Sequence, residues 1–346
     1  MQGFPQQLDH RARQQVAGWL LLCCTMIFAM VLLGGVTRLT VSGLSMVEWD
    51  PIFGIVPPLT EEQWRSDFDK YRQSPEYQKI NLGMDLDGFK SIYWFEYSHR
   101  LLGRSIGTVF LLPFLYFLWR RRLTTKLIPR LALAFVLGGL QGLLGWYMVK
   151  SGLVDEPHVS PYRLTAHLLL ALLIYVYLLW LFFDLACARR PRIAASPGLI
   201  RAARLILGLV ALTITSGGFV AGLKAGQAYN TFPLMGDQWL PPAGWLLQPG
   251  WRNLFENIAT VQFDHRMLAL STLLSILIFW VYARRAGIAR PTIHLLLAAG
   301  LLQVALGIST LLLLVPVPLA SLHQGGALLL LTVTLLVNHR LHVQHP

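Results

Sequence analysis

The sequence predicts an all-α integral membrane protein, with eight transmembrane helices in two tandem four-helix bundles related by a pseudo-twofold axis along the membrane normal. Three observations carry this expectation. Of 346 residues, 55% are hydrophobic and only 13% charged, a balance too apolar for a soluble chain of this size. Eight apolar runs are each long enough to cross a bilayer. The last four runs repeat motifs of the first four, and four helices per repeat leave both halves with the same topology.

The runs cover about 17–36, 97–119, 131–149, 164–187, 205–223, 263–282, 293–315 and 320–337, each near the twenty residues a crossing requires. The first passes into Gly34-Gly35-Val36-Thr37-Arg38 with no small-x-small cleavage site, so it is expected to stay as helix one rather than leave as a signal peptide. Cys23, Cys24 and Cys187 lie inside apolar runs and read as small core residues.

A net charge of +12 raises the question of nucleic acid, but the basic residues sit in short loops between runs, and no nucleic-acid partner is expected. The N-terminus, the loops near 120–130, 188–204 and 283–292, and the tail hold sixteen basic residues against one acid, Asp9, whereas the other side holds ten basic and fourteen acidic. By the positive-inside rule both termini are cytoplasmic. The long segments 38–96 and 224–261 then lie outside, and their Trp and Pro content (Trp49, Trp64, Pro57-Pro58; Trp239, Pro241-Pro242, Trp245, Trp251) predicts amphipathic caps on the membrane surface.

The halves, 1–190 and 191–346, match motif by motif. Gly34-Gly35 and Gly43 correspond to Gly217-Gly218 and Gly226; Glu96-Tyr97-Ser98-His99-Arg100 to Gln262-Phe263-Asp264-His265-Arg266; Leu140-Gln141-Gly142 to Leu302-Gln303-Val304; and His167 to His323. Intramembrane ionisable groups are costly and default to a functional role. Four histidines at repeat-equivalent places, on diagonal helices of each bundle, are spaced for a flat macrocycle with axial imidazoles, so His99 with His167 and His265 with His323 are expected to ligate haem iron. Placed at helix N-termini, the rings would stay neutral with a lone pair free. Arg100, Arg104 and Arg266 would meet haem propionates, or else anchor helix ends in the headgroups. His10, His158, His294, His339, His342 and His345 have no repeat partner and read as loop, helix-end or tail residues, although His158 shares the outer face with the sites.

The repeat breaks at one informative place. Glu96 precedes His99 by three residues and shares its helix face, whereas the equivalent residue before His265 is Gln262. Either Glu96 faces whatever His99 holds and handles protons or stabilises a carbocation, or it forms a structural salt bridge with Arg100 or Arg38. Asp264, adjacent to His265, reads as structural. The asymmetry implies a reacting macrocycle in the first half and an electron-transferring haem in the second.

The segments Gly34-Gly35-Val36-Thr37-Arg38-Leu39-Thr40, Ser42-Gly43-Leu44-Ser45-Met46, Pro57-Pro58-Leu59, Pro75-Glu76-Tyr77, Phe89-Lys90 and Glu96-Tyr97-Ser98-His99-Arg100 closely resemble the haem A synthase family, and the similarity runs through all eight helices. The resemblance implies an oxidoreductase that converts haem O to haem A by successive hydroxylations of the C8 methyl group to a formyl group, for assembly of cytochrome oxidase. It also implies a haem b cofactor (iron) held by His265 and His323 in the second bundle, a substrate pair His99 and His167 in the first, and Glu96 as the essential carboxylate. Haem O synthase, oxidase assembly factors and membrane lipid are the implied partners, with an oligomer compatible with the small-residue run near Gly138. The cysteine pair that some members carry in the first outer loop is missing from 38–96, as in the proteobacterial and mitochondrial type. With no transit peptide in view, the bacterial inner membrane is expected, with the haem sites near its periplasmic face. A di-haem cytochrome b passing electrons from quinol would account for the histidines but not for Glu96. A transporter with parallel repeats would interrupt its helices near the midplane.

Overall fold

A computed structural model of the chain describes residues 8–48, 55–152, 159–188, 193–288 and 290–343. Eight long helices account for the eight expected runs: α1 (His10–Leu39), α4 (Leu86–Trp119), α5 (Ile128–Gly152), α6 (Pro161–Ala186), α7 (Pro197–Gly222), α9 (Ile258–Arg285), α10 (Pro291–Leu312) and α11 (Val317–Arg340). Each is long and apolar enough to cross a membrane. Three short helices, α2 (Glu61–Arg72), α3 (Pro75–Lys79) and α8 (Asn253–Glu256), lie between them, and β1 (Ile193–Ala195) pairs in parallel with β2 (Leu341–Val343).

Most of the long helices start earlier than the apolar runs because their capping residues lie in polar sequence. Asp9 accepts from Ala12 N at 2.6 Å, Asp85 from Gly88 N at 2.8 Å and Asn257 from Ala259 N at 3.0 Å, each satisfying an amide that the first turn would otherwise leave orphaned. Large apolar side chains such as Leu112, Leu133, Val136, Leu212 and Ile278 stay exposed along the spans. On a water-soluble protein this would be a liability, but on a membrane span it is the surface that lipid covers.

The chain divides into two compact units, Met1–Leu178 and Leu179–Pro346. In the first, α1 packs on α4 and α4 on α5, with Trp19 Nε1 donating to the Val109 carbonyl at 2.9 Å, while Gln141 on α5 meets His167 on α6. In the second, α7 and α10 each pack on both α9 and α11, closing a ring in which α9 and α11 stand diagonally. Asp184, at the end of α6, meets His339 Nε2 at 2.9 Å, with Trp180 and Phe183 against the same ring. His339 is therefore a buried, partnered residue rather than a free helix end. Trp49, His158 and His345 lie outside the described residues.

Both units end their first long helix alike. Val41 (φ 52°) and Lys224 (φ 53°) occupy the left-handed region at repeat-equivalent positions, reversing the chain after α1 and α7. A non-glycine residue there is strained and persists only where its surroundings over-determine it.

The outer segments depart from the expectation of two similar surface caps. In the first, α2, α3 and the early turns of α4 bury an aromatic core of their own, with Trp64, Tyr71, Tyr77, Phe89, Ile92, Tyr93 and Tyr97 in contact. Burial pushes the Tyr71 phenol well above its ordinary value, so its hydroxyl stays protonated and donates to Glu76 at 3.2 Å. In the second, Trp239, Trp245 and Trp251 are exposed, as expected of rings seated at a lipid interface. Replacing Phe89, which is fully buried, with Ala should cost the cap about 3–5 kcal/mol. Limited proteolysis should then cut within residues 61–79 while the helices remain membrane-embedded; an unchanged digestion pattern would refute an independent core.

Candidate functional site

Each of the four histidines rests against a glycine of a neighbouring helix. A Cβ built on Gly145 would meet His167 Cε1 at 2.9 Å, one on Gly307 would meet His323 Cε1 at 2.8 Å, and one on Gly217 would meet His265 Cε1 at 3.1 Å. On Gly34 the nearest atom is His99 Nε2, at 3.0 Å. Real Cβ atoms essentially never approach as closely as at Gly145 and Gly307, and seldom as closely as at Gly34 and Gly217, so the absence of a side chain at these positions makes room for the imidazoles. All four rings are half-buried. His99 and His167 lie within electrostatic reach of each other, as do His265 and His323.

The histidines are not at helix N-termini. His99 is the fourteenth residue of α4 and the other three lie about two turns into their helices, beyond the first turn where a helix dipole acts. The expectation that the dipole keeps the rings neutral is therefore set aside. What the four share is the helix that follows them, about 17 to 20 residues in every case, which puts the two members of each pair at closely similar depth.

His167 and His323 are held in the same way. Gln141 Nε2 donates to the His167 carbonyl at 3.1 Å, and Gln303 Nε2 to the His323 carbonyl at 3.0 Å, each amide also lying 3.2 Å from the ring Nδ1. The Oε1 atoms of both glutamines are buried without a partner among the described residues. His265 differs, with its Nδ1 2.8 Å from Ser216 Oγ.

Glu96 is 3% exposed and its two oxygens are committed. Oε2 accepts from Ser45 Oγ at 2.7 Å and from Met46 N at 2.8 Å; Oε1 accepts from Arg100 Nη2 at 2.5 Å and Nε at 3.0 Å. Glu96 and Arg100 thus form a salt bridge, the partner being Arg100 rather than Arg38. Arg100 Nη2 donates onward to the Met46 carbonyl at 2.8 Å. The second unit repeats the clamp without the charge: Arg266 Nη2 donates to the Tyr229 carbonyl at 2.8 Å and to Gln262 Oε1 at 3.3 Å, and Gln262 Nε2 donates to the Ala225 and Tyr229 carbonyls. Arg100 and Arg266 thus hold the segments following α1 and α7. Arg104 stands one turn beyond Arg100 on α4.

Among the described residues no group of three or more His, Cys, Asp or Glu side chains could hold a bare metal ion. Two opposed imidazoles suit an iron that brings its own four in-plane donors, as a porphyrin does. The glycine cradles and the unpartnered amide oxygens beside two of the rings fit that demand.

A family model described as cytochrome oxidase assembly protein matches residues 17–335. A protein of Nitrosospira multiformis named "Heme A synthase" is 52% identical over 347 residues, 98% of each chain. The chain belongs to the haem A synthase family of cytochrome oxidase assembly proteins. Other members of the family are the Paramagnetospirillum magneticum "Heme A synthase", 52% identical over 340 residues and 96% of each chain, and an Arabidopsis thaliana one, 47% identical over 351 residues, 97% of this chain and 76% of that one.

In this haem A synthase family member, sequence reasoning missed Ser216 and the two glutamines as partners of the histidines. The paired Leu-Gln motifs on α5 and α10 marked the glutamines, one turn before Gly145 and Gly307; nothing in the repeat marked Ser216, whose counterpart is Leu33. Gly307→Ala should displace the His323 ring and remove most of the haem absorbance of the purified protein, whereas Gly138→Ala, which meets open space, should leave the spectrum unchanged. Equal spectra for the two variants would show that the cradles do not position the ligands.

Proposed function

We propose that the chain is a haem A synthase, an oxidoreductase that converts the C8 methyl group of haem O to the formyl group of haem A for cytochrome oxidase. Near-full-length identity of about 50% to relatives bearing that name supports the activity. The observation that carries the site assignment is the doubled arrangement in which each unit brings two imidazoles on glycine cradles within electrostatic reach of each other, while Glu96 in the first unit has the amide Gln262 as its counterpart in the second. In this proposal, residues 1–190 hold the substrate haem between His99 and His167, and residues 191–346 hold the cofactor haem b between His265 and His323. When bound, that cofactor supplies one-electron chemistry.

The chain's own contributions follow from the geometry. His99 with His167 and His265 with His323 would each hold a haem iron in their bundle. Glu96, whose carboxylate accepts from four donors, lies one turn before His99, placed to stabilise positive charge developing on the substrate. The charge pattern supports both termini being cytoplasmic and the sites facing the periplasmic side of a bacterial inner membrane. Haem O synthase and oxidase assembly factors are the expected neighbours, one delivering substrate and the others receiving product.

One observation favours a second reading. The Glu96–Arg100 clamp has a neutral counterpart in Gln262–Arg266, so the carboxylate could be structural and the protein a di-haem electron carrier. A single experiment separates the two. Because Gln occupies the same place in the second unit, Glu96→Gln should fold and retain bound haem. In cells making haem O, it should abolish the formyl haem found in extracted pigment with the unsubstituted chain. Wild-type amounts of formyl haem from Glu96→Gln would reduce Glu96 to a structural part, and their absence from the unsubstituted chain would favour the electron carrier.

A further inference from the structure

The two units hold three of their four histidines alike and one differently. His167, His265 and His323 all present Cε1 to the glycine beneath them, whereas His99 presents Nε2, 3.0 Å from the Cβ position of Gly34, with Cδ2 next at 3.5 Å. The repeat-equivalent pair is therefore His99 on Gly34 and His265 on Gly217, with the two rings in different orientations.

A proton count explains the difference. Ser216 Oγ lies 2.8 Å from the Thr213 carbonyl, which can only accept, so the single hydroxyl proton of Ser216 is directed there. The same oxygen lies 2.8 Å from His265 Nδ1 and has only lone pairs left to offer, and the Thr213 carbonyl is a second acceptor within reach of the ring. Nδ1 must then carry the ring proton and donate it, leaving Nε2 as a bare lone pair in a fixed plane. That is the arrangement in which a second partner orients a metal-binding imidazole and strengthens its donor nitrogen. In the first unit Leu33 stands where Ser216 stands in the second. It has nothing to accept a proton, and no other hydrogen-bond partner of the His99 ring exists among the described residues.

We infer that Ser216 is the positioning residue that makes the second-unit site a permanent haem site, and that Leu33 in its place leaves the first-unit site exchangeable. The inference rests on the reading that both histidine pairs hold haem, and it deepens that reading by assigning residence to one unit and turnover to the other. A cofactor has to remain through many cycles, while a substrate has to arrive, be altered and leave. A ligand whose tautomer and plane are preset dissociates slowly. A ligand that first has to turn its Nε2 edge away from α1 and choose a tautomer binds more weakly.

The test uses the full-length protein purified with its haem, mixed with an excess of a haem-scavenging apoprotein, and follows pigment transfer together with the reduced-minus-oxidised spectrum and midpoint potential. The unsubstituted chain should show a slowly released haem assigned to the second unit by its loss in His265→Ala. Ser216→Ala should speed release of that haem by about 10- to 100-fold and shift its potential, and Ser216→Thr, which keeps a hydroxyl, should restore both. Leu33→Ser should slow release from the first unit. Unaltered release and potential in Ser216→Ala would overturn the inference while leaving the haem sites standing. A haem content and spectrum untouched by His265→Ala would instead overturn the underlying assignment.

Discussion

Four imidazoles pressed against four glycines are the contacts on which the functional architecture depends. An imidazole edge can come this close to a helix backbone only where no side chain intervenes, and Gly34, Gly145, Gly217 and Gly307 supply that clearance. The same contact does two things at once. It sets α4 against α1, α6 against α5, α9 against α7 and α11 against α10, and it holds each half-buried ring within electrostatic reach of the unit's other histidine. Packing and ligand geometry are thus one interaction, and a methyl group added at a cradle disturbs both.

On this shared frame the two units diverge by a few side chains. Arg100 and Arg266 donate to equivalent carbonyls, Met46 and Tyr229, and tie down the segment that follows the first helix of each unit. The residue one turn earlier is an ionised acceptor in one unit and an amide in the other. The amide donates to backbone carbonyls; the carboxylate instead draws in a hydroxyl and a main-chain N–H. Ser216 against Leu33 is the second divergence, and it changes what the neighbouring imidazole can offer rather than where the helix runs.

Much of this was legible in the sequence. The eight spans follow from apolar run length, and the histidine pairs from a motif repeat that no packing argument requires. Other features had no signal in hydropathy or spacing. The extra turns of α4 and α9 depend on Asp85 and Asn257, capping residues in polar sequence that a search for apolar runs passes over. The cap's aromatic core draws on Trp64, Tyr71, Tyr77 and Phe89, which are scattered among charged residues and converge only when α2 and α3 fold back on α4. Ser216 was invisible because a serine in a membrane helix usually bonds its own backbone, which it also does here. The Arg100 partnership of Glu96 was readable as an i,i+4 pair, but whether the carboxylate would turn toward it or toward the ligand was a question of three-dimensional placement.

The continuity of α4 couples two regions that polarity would keep apart. Phe89, Tyr93 and Tyr97, which anchor the cap, and Glu96 and His99, which furnish the site, are carried on one unbroken helical rod. A rod transmits rotation and tilt along its length, so the cap and His99 share one mechanical element. Whatever docks on or loosens that aromatic cluster acts mechanically on the imidazole two turns below it.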